Sequence, residues 1–235
     1  MASRLQRYGF EFLGLALISL MFGCGGGGSS TELRVLAASP DEATVQAVVD
    51  GANLGSTLAY EANTGYQSVH SGSRQFAIEV VGTTTNLVPN NATLSLGSST
   101  QTTFILAGFS SSLQGMVLTD DNTAPASNTV NIRIVNAAPS LGAVDIYVVP
   151  PGTSLSSVTP TISALSFGQA SGYSNLPVNS GGENYEIYFT PPGVPTSTLL
   201  DTGPISFGSG ENRTIVGLNN PAGGSYTFVT LKDLN

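Results

Sequence analysis

His70, Lys232 and Cys24 are each the only residue of their type in the chain. General acid-base chemistry would therefore rest on carboxylates or on His70. No Gly-x-Ser-x-Gly elbow is present, and no nucleophile stands beside an obvious base. His70 sits at a strand-to-turn boundary before Ser71-Gly72 and reads as a solvated turn residue, because a lone histidine needs partners to catalyse or to ligate. No catalytic residue is assigned. The best metal candidate is Asp120-Asp121-Asn122. Calcium takes about six to eight oxygen ligands, and carboxylates at a joint between two modules supply several. The competing reading is a hydrophilic linker in an acidic protein, since no twelve-residue calcium loop is present. No other cofactor is expected.

Five further positions carry polar chemistry of a quieter kind. Asp145 lies between Val144 and Ile146 on a strand, so it faces away from its apolar neighbours. Solvent exposure, or a hydrogen bond that pins a turn, is expected of it. Tyr66 and Tyr173 each follow a glycine at matching places, and ring packing with a bonded hydroxyl is favoured over a sugar-stacking platform. Asn91-Ala92-Thr93 and Asn212-Arg213-Thr214 match the glycosylation sequon. Beside a bacterial-type leader, both are read as coincidence.

Composition narrows the class. Charged residues are 9% of the chain against 40% hydrophobic, and soluble domains usually carry roughly 25% charged. Ser, Thr, Asn and Gly fill the polar positions, which suits strands and turns rather than surface helices. The net charge is −8 and the basic residues are scattered singly. A nucleic-acid partner is excluded on that ground, because phosphate binding needs clustered Lys and Arg. One cysteine allows no intramolecular disulfide, so the core alone must hold the fold.

The N-terminal stretch reads as a leader. Arg4 and Arg7 precede Phe12–Phe22, an uncharged apolar run of eleven residues. A spanning helix needs about 20, so the run fits a signal-peptide core. Cys24 follows at once after Gly23. This placement resembles a bacterial lipoprotein signal, in which the cysteine becomes the lipid-modified first residue; Met21 and Phe22 depart from that pattern. Ordinary secretion with a free thiol is the alternative. Cleavage before Cys24 leaves five basic and fourteen acidic residues, a net of −9. Gly25 as second residue implies, by the same resemblance, outer-membrane sorting. Gly25–Ser30 reads as a flexible tether.

The elements that position these residues read as strands. Leu33–Ala37, Thr44–Val49, Thr57–Tyr60, Tyr66–Val69, Gln75–Val81, Ala92–Leu96, Thr102–Leu106 and Met116–Thr119 are apolar or β-branched runs between turn clusters. Asp50-Gly51 is a strong turn pair. Phe76, Ile78 and Val80 alternate with Gln75, Ala77 and Glu79, the period of a half-buried strand. No window carries a helical apolar stripe. After Asp120–Asn128 the same signals return in order. Arg34 aligns with Arg133, Gly65-Tyr66 with Gly172-Tyr173, Phe76-x-Ile78-x-Val80 with Tyr185-x-Ile187-x-Phe189, Leu94–Ser98 with Ile205–Ser209, and Leu118–Asn122 with Leu231–Asn235. The expected organisation is a signal peptide over 1–23, the lipidated Cys24 and tether over 24–32, a first β-sandwich over 33–119, a linker over 120–129 and a second β-sandwich over 130–235.

With both copies in view, the chain resembles the bacterial family catalogued as domain of unknown function 4397. The carrying residues are Arg34–Asp41 and Val48–Gly51 in the first copy, Arg133–Pro139 and Val144–Val148 in the second, with Phe167–Tyr173 and Val117–Asn122. The resemblance implies two tandem immunoglobulin-like sandwiches on an exported protein and carries no activity. The first copy departs from it at Gln46 and at Tyr60–Asn63. The expected function is a non-catalytic envelope lipoprotein, anchored to the membrane through its lipid and offering strand edges and loops to an envelope protein or polysaccharide. A self-associating surface adhesin or matrix component is the first alternative and an envelope hydrolase the second.

Overall fold

The computed structural model describes residues 29–221 and 223–234. The apolar leader run and Cys24 lie outside the described residues, as do residues 25–28 of the tether. Strands are nearly the only regular secondary structure among the described residues. Its first half holds β1 (Ser30–Ala38), β2 (Val45–Val49), β3 (Ala52–Asn53), β4 (Gln67–His70), β5 (Gly72–Val80), β6 (Thr93–Leu96), β7 (Gln101–Ala107) and β8 (Gln114–Asp120). The second holds β9 (Thr129–Asn136), β10 (Val144–Val149), β11 (Ile162–Leu165), β12 (Gln169–Ala170), β13 (Ser174–Pro177), β14 (Glu183–Thr190), β15 (Leu200–Phe207), β16 (Asn212–Asn219) and β17 (Tyr226–Lys232). Two single 3-10 turns, Pro89–Asn91 and Leu155–Ser157, are the helical exceptions among the described residues. No helix among them is long and apolar enough to cross a membrane.

Each half forms two packed sheets. The first pairs β4-β1-β7-β8 in one sheet and β3-β2-β5-β6 in the other. The second pairs β12-β9-β16-β17, with β13 also on β9, and β11-β10-β14-β15. In both halves the opening strand lies parallel to the penultimate one: Arg34 stands opposite Thr103, and Arg133 opposite Thr214. The register of the repeat is finer than the apolar pattern suggests. Ala47 opposes Ile78, and Ile146 opposes Phe189. Ile78 thus corresponds to Phe189, a two-residue step from the alignment that apolar spacing favours. Period-two strands cannot distinguish such steps, because each keeps the same face inward.

The sequence of β1 and β7 shows where the two halves meet. A strand with one wet face alternates apolar with polar, whereas one covered on both faces reads as a continuous apolar run. Leu33, Val35, Phe104 and Leu106 face the first half's own core. Their alternates Leu36, Ala38, Ile105 and Ala107 pack with Val135, Ala137, Val216 and Leu218 of the second half in a separate buried cluster. The inner sheets of the two halves therefore lie face to face, and each outer sheet closes one core. Every residue of β7 is buried for this reason.

Two expectations are corrected here. Thr57–Tyr60 forms no strand: Leu58 makes only an isolated bridge to Val45. The tight turn at Asp50-Gly51, with φ of 50° and 81°, gives the strand after β2 only two residues. Asp120, expected to open the linker, is instead the last residue of β8 and is buried. A carboxylate was expected to seek water, but this one meets two arginines.

Candidate functional site

The chemistry-bearing side chains converge at the interface of the two halves. One row beyond the shared apolar layer, each inner sheet carries a polar ladder across its strands. In the first half the ladder runs Tyr66, Arg34, Thr103, Asp120; in the second it runs Tyr173, Arg133, Thr214, Asp233. Alternation places them there: Arg34 lies two residues before Leu36 on β1, Thr103 two before Ile105 on β7, and Asp120 two after Leu118 on β8.

Within each ladder the bonds repeat. Arg34 donates from Nε and Nη2 to Thr103 Oγ1 at 3.0 and 2.7 Å. The Thr103 hydroxyl in turn donates a hydrogen bond to Asp120 Oδ2. Tyr66 donates to Asp120 Oδ2 at 2.7 Å, and its ring lies under the Arg34 guanidinium at 4.4 Å. In the second half Arg133 Nε donates to Thr214 at 2.9 Å and Thr214 donates to Asp233. Tyr173 donates to Asp233 at 2.9 Å and stacks under Arg133 at 4.8 Å.

Between ladders the bonds are reciprocal. Arg34 reaches Asp233 Oδ1 at 2.6 Å and the Lys232 carbonyl at 2.6 Å. Arg133 reaches Asp120 Oδ1 and, at 3.0 Å, the Thr119 carbonyl. Each arginine thus spans the carboxylate of the other half and the carbonyl just before it. Within their own halves the ion pairs are longer, 3.6 Å for Arg34–Asp120 and 3.9 Å for Arg133–Asp233. The arginine side chains are 3–4% exposed and both aspartates fully buried. Two positive and two negative charges cancel, and their remaining donors and acceptors go to threonine, tyrosine and backbone. A buried charge without such pairing is severely destabilising.

Burial raises the Tyr66 hydroxyl above the ordinary tyrosine range, the nearby Asp120 adding to it against Arg34. Burial and Asp233 do the same for Tyr173. Burial disfavours the charge on Arg133, but Asp120, Tyr173 and Asp233 together outweigh it and hold the guanidinium more firmly protonated than usual. The charged groups of the site are committed to one another, and a shallow cleft of about 260 Å³ beside Arg34, Tyr66 and Lys232 borders it. Such a site can fix two halves in one register.

The joint over 121–128 is tied to the second half. Asn212 Nδ2 donates to the carbonyls of Asp121 and Thr123 at 2.7 and 2.9 Å, and Asn128 N donates to Ser209 Oγ. Asn212 is 1% exposed, so its sequon is closed to modification in the folded chain. Of the calcium candidates, Asp120 is held by arginine, tyrosine and threonine, and Asp121 caps the backbone N of Thr123. Among the described residues, no three His, Cys, Asp or Glu side chains stand together as a metal site. His70 is exposed at the end of β4. Asp145 is not in solvent. It is 5% exposed and accepts from Ala164 N and Gly193 N, both at 2.8 Å, pinning the irregular strand β11 and the turn at Gly193.

Sequence reasoning missed the ladders as a site, although every member recurs in both copies. The usable signal was that Arg34/Arg133 and Asp120/Asp233 are repeated charges in a chain that has few.

A family model described as "Domain of unknown function (DUF4397)" matches residues 31–147. The match opens in β1, crosses the joint and ends within β10. It therefore includes both arginines and the whole first ladder. No curated protein matches the chain.

Proposed function

Residues 31–147 belong to the family of the domain of unknown function 4397, and from that premise we propose that the protein is a non-catalytic, lipid-anchored component of the bacterial cell envelope. In this reading Cys24 carries the lipid, residues 25–30 space the body from the membrane, and two immunoglobulin-like modules are displayed as one rigid unit at the outer membrane or cell surface. Their exposed loops and strand edges meet an envelope protein or a polysaccharide. No cofactor is involved.

The observation that carries this reading is the use made of the reactive side chains. Both buried arginines and two buried aspartates are consumed in joining the halves, and both glycine-linked tyrosines in bracing those aspartates from within each half. A hydrolase is poorly supported. Neither the groove of about 450 Å³ on the first half nor the cleft of about 520 Å³ beside Gly210 is lined by more than one carboxylate, Glu79 in the first and Glu211 in the second. The self-associating alternative gains support from the reciprocity of the interface.

The test is fractionation and protease shaving of intact cells, comparing the native chain with Cys24→Ala. The proposal expects the native chain in the membrane fraction and cut from outside, and the variant unprocessed or released. Protection until the envelope is opened would move it to the periplasmic side. No effect of Cys24→Ala on processing or membrane association would overturn the lipid anchor.

A further inference from the structure

The interface that closes the chain is self-complementary. In an isologous contact between two copies, residue i of one meets residue j of the other, and j meets i. Arg34 to Asp233 and Lys232 O, with Arg133 to Asp120 and Thr119 O, follow that rule within one chain. The apolar layer beside them follows it too: Leu36 and Ile105 on one side correspond to Val135 and Val216 on the other. Each half thus brings a donor, an acceptor and a matching apolar patch. A connection of eight residues, 121–128, is all that makes the pairing intramolecular.

We propose that this face is also an assembly face, and that a second copy of this chain can take the place of a chain's own partner half to give a module-exchanged dimer. Each interface of the dimer keeps the reciprocal arginine–aspartate bonds. The closed monomer dominates at ordinary concentration, because a short linker holds its halves at an effective concentration on the order of millimolar. Exchange therefore follows opening, and it is trapped when refolding occurs among many copies. Exchange of this kind does not depend on where the protein resides.

The experiment uses the chain from Ser29 onward, which holds all the described strands. Ordinary and heavy-nitrogen chains are unfolded together, refolded at about millimolar concentration, diluted, and weighed by native mass spectrometry. A mixed-mass dimer that survives dilution is expected. Monomers alone would overturn the proposal. In parallel, Thr123–Ala126 is deleted, which shortens the reach from Asp120 to Thr129 from about 30 Å to about 17 Å. The shortened chain is expected to run at twice the monomer mass in light scattering. Adding Asp120→Asn and Asp233→Asn is expected to weaken that dimer roughly a hundredfold or more. A shortened, folded chain that stays monomeric at every concentration contradicts the proposal. If the deletion prevents folding, the refolding experiment on the native sequence decides alone.

Discussion

Arg34 in the first strand bonds Asp233, which follows the last strand 199 residues later, at 2.6 Å. Arg133 and Asp120 make the same bond in the opposite sense. A chain that places an arginine early in each copy and an aspartate at each copy's end has written its own clasp. Removing one member strands a buried charge, so Arg34→Ala is expected to cost about 3–5 kcal/mol. Arg34→Ala with Asp233→Ala should cost clearly less than the two changes summed. Denaturant unfolding of the four-protein cycle measures this coupling. Lys232→Ala, with its side chain exposed, should stay within about 0.5 kcal/mol of the parent.

Alkali should loosen the clasp through its tyrosines. Tyr66 and Tyr173 titrate higher in the folded chain than in the unfolded one, chiefly because burial disfavours the phenolate. Below the ordinary value of about 10 both states keep the proton and no pH dependence arises. Above it the unfolded chain loses protons that the folded chain retains, so stability falls as pH rises. Melting temperature measured from pH 8 to 12 should be flat and then decline. In Tyr66→Phe with Tyr173→Phe the decline should be shallower, from a lower starting stability.

One site in the first copy is strained where the second is not. Glu61 holds φ at 67°, and the corresponding Gly168 holds 77°. Their correspondence follows from pairing, since Asn63 bridges Leu36 as Ala170 pairs Val135. A left-handed conformation costs a side-chain residue about 1–2 kcal/mol, part of which is offset by glycine's freedom when unfolded. Glu61→Gly should therefore raise stability by about 0.5–1 kcal/mol by thermal or denaturant unfolding. The adjacent bond from the Tyr60 hydroxyl to the Asn219 carbonyl, a further tie between halves, should persist.

Asn212 fixes the joint rather than the core. Asn212→Ala leaves the carbonyls of Asp121 and Thr123 without their donor, at a cost of about 1–3 kcal/mol. The expected signature is local: a protease that cuts at acidic residues should cleave at Asp121 sooner in the variant than in the parent. Equal cleavage rates would mean that the other joint bonds suffice.

Much of the fold was legible. Period two in Phe76–Val80, the Asp50-Gly51 turn and the ordered echoes between copies led to an all-β chain with paired signals. The continuous apolar runs of β1 and β7 were also readable as strands covered on both faces, but a single strand says nothing of what covers it. The clasp was hidden for a related reason. Arg34 and Asp233 lie at opposite ends of the chain, and only the face-to-face packing of two sheets brings them together. Asp120 looked like linker because acidic residues beside Asn and Thr usually face water. Asp145 was half read, since its alternation was right but the strand β11 and the turn at Gly193 that close over it were too distant to foresee.

Calorimetry of the chain from Ser29 measures directly whether reciprocal arginine–aspartate bonds make the two halves one cooperative body. A single transition is expected, with calorimetric and van't Hoff enthalpies that agree. In Arg34→Ala with Arg133→Ala, the transition should fall in temperature and split or broaden as the halves uncouple. Two separate transitions in the native chain, unmoved by the arginine changes, would contradict this cooperativity.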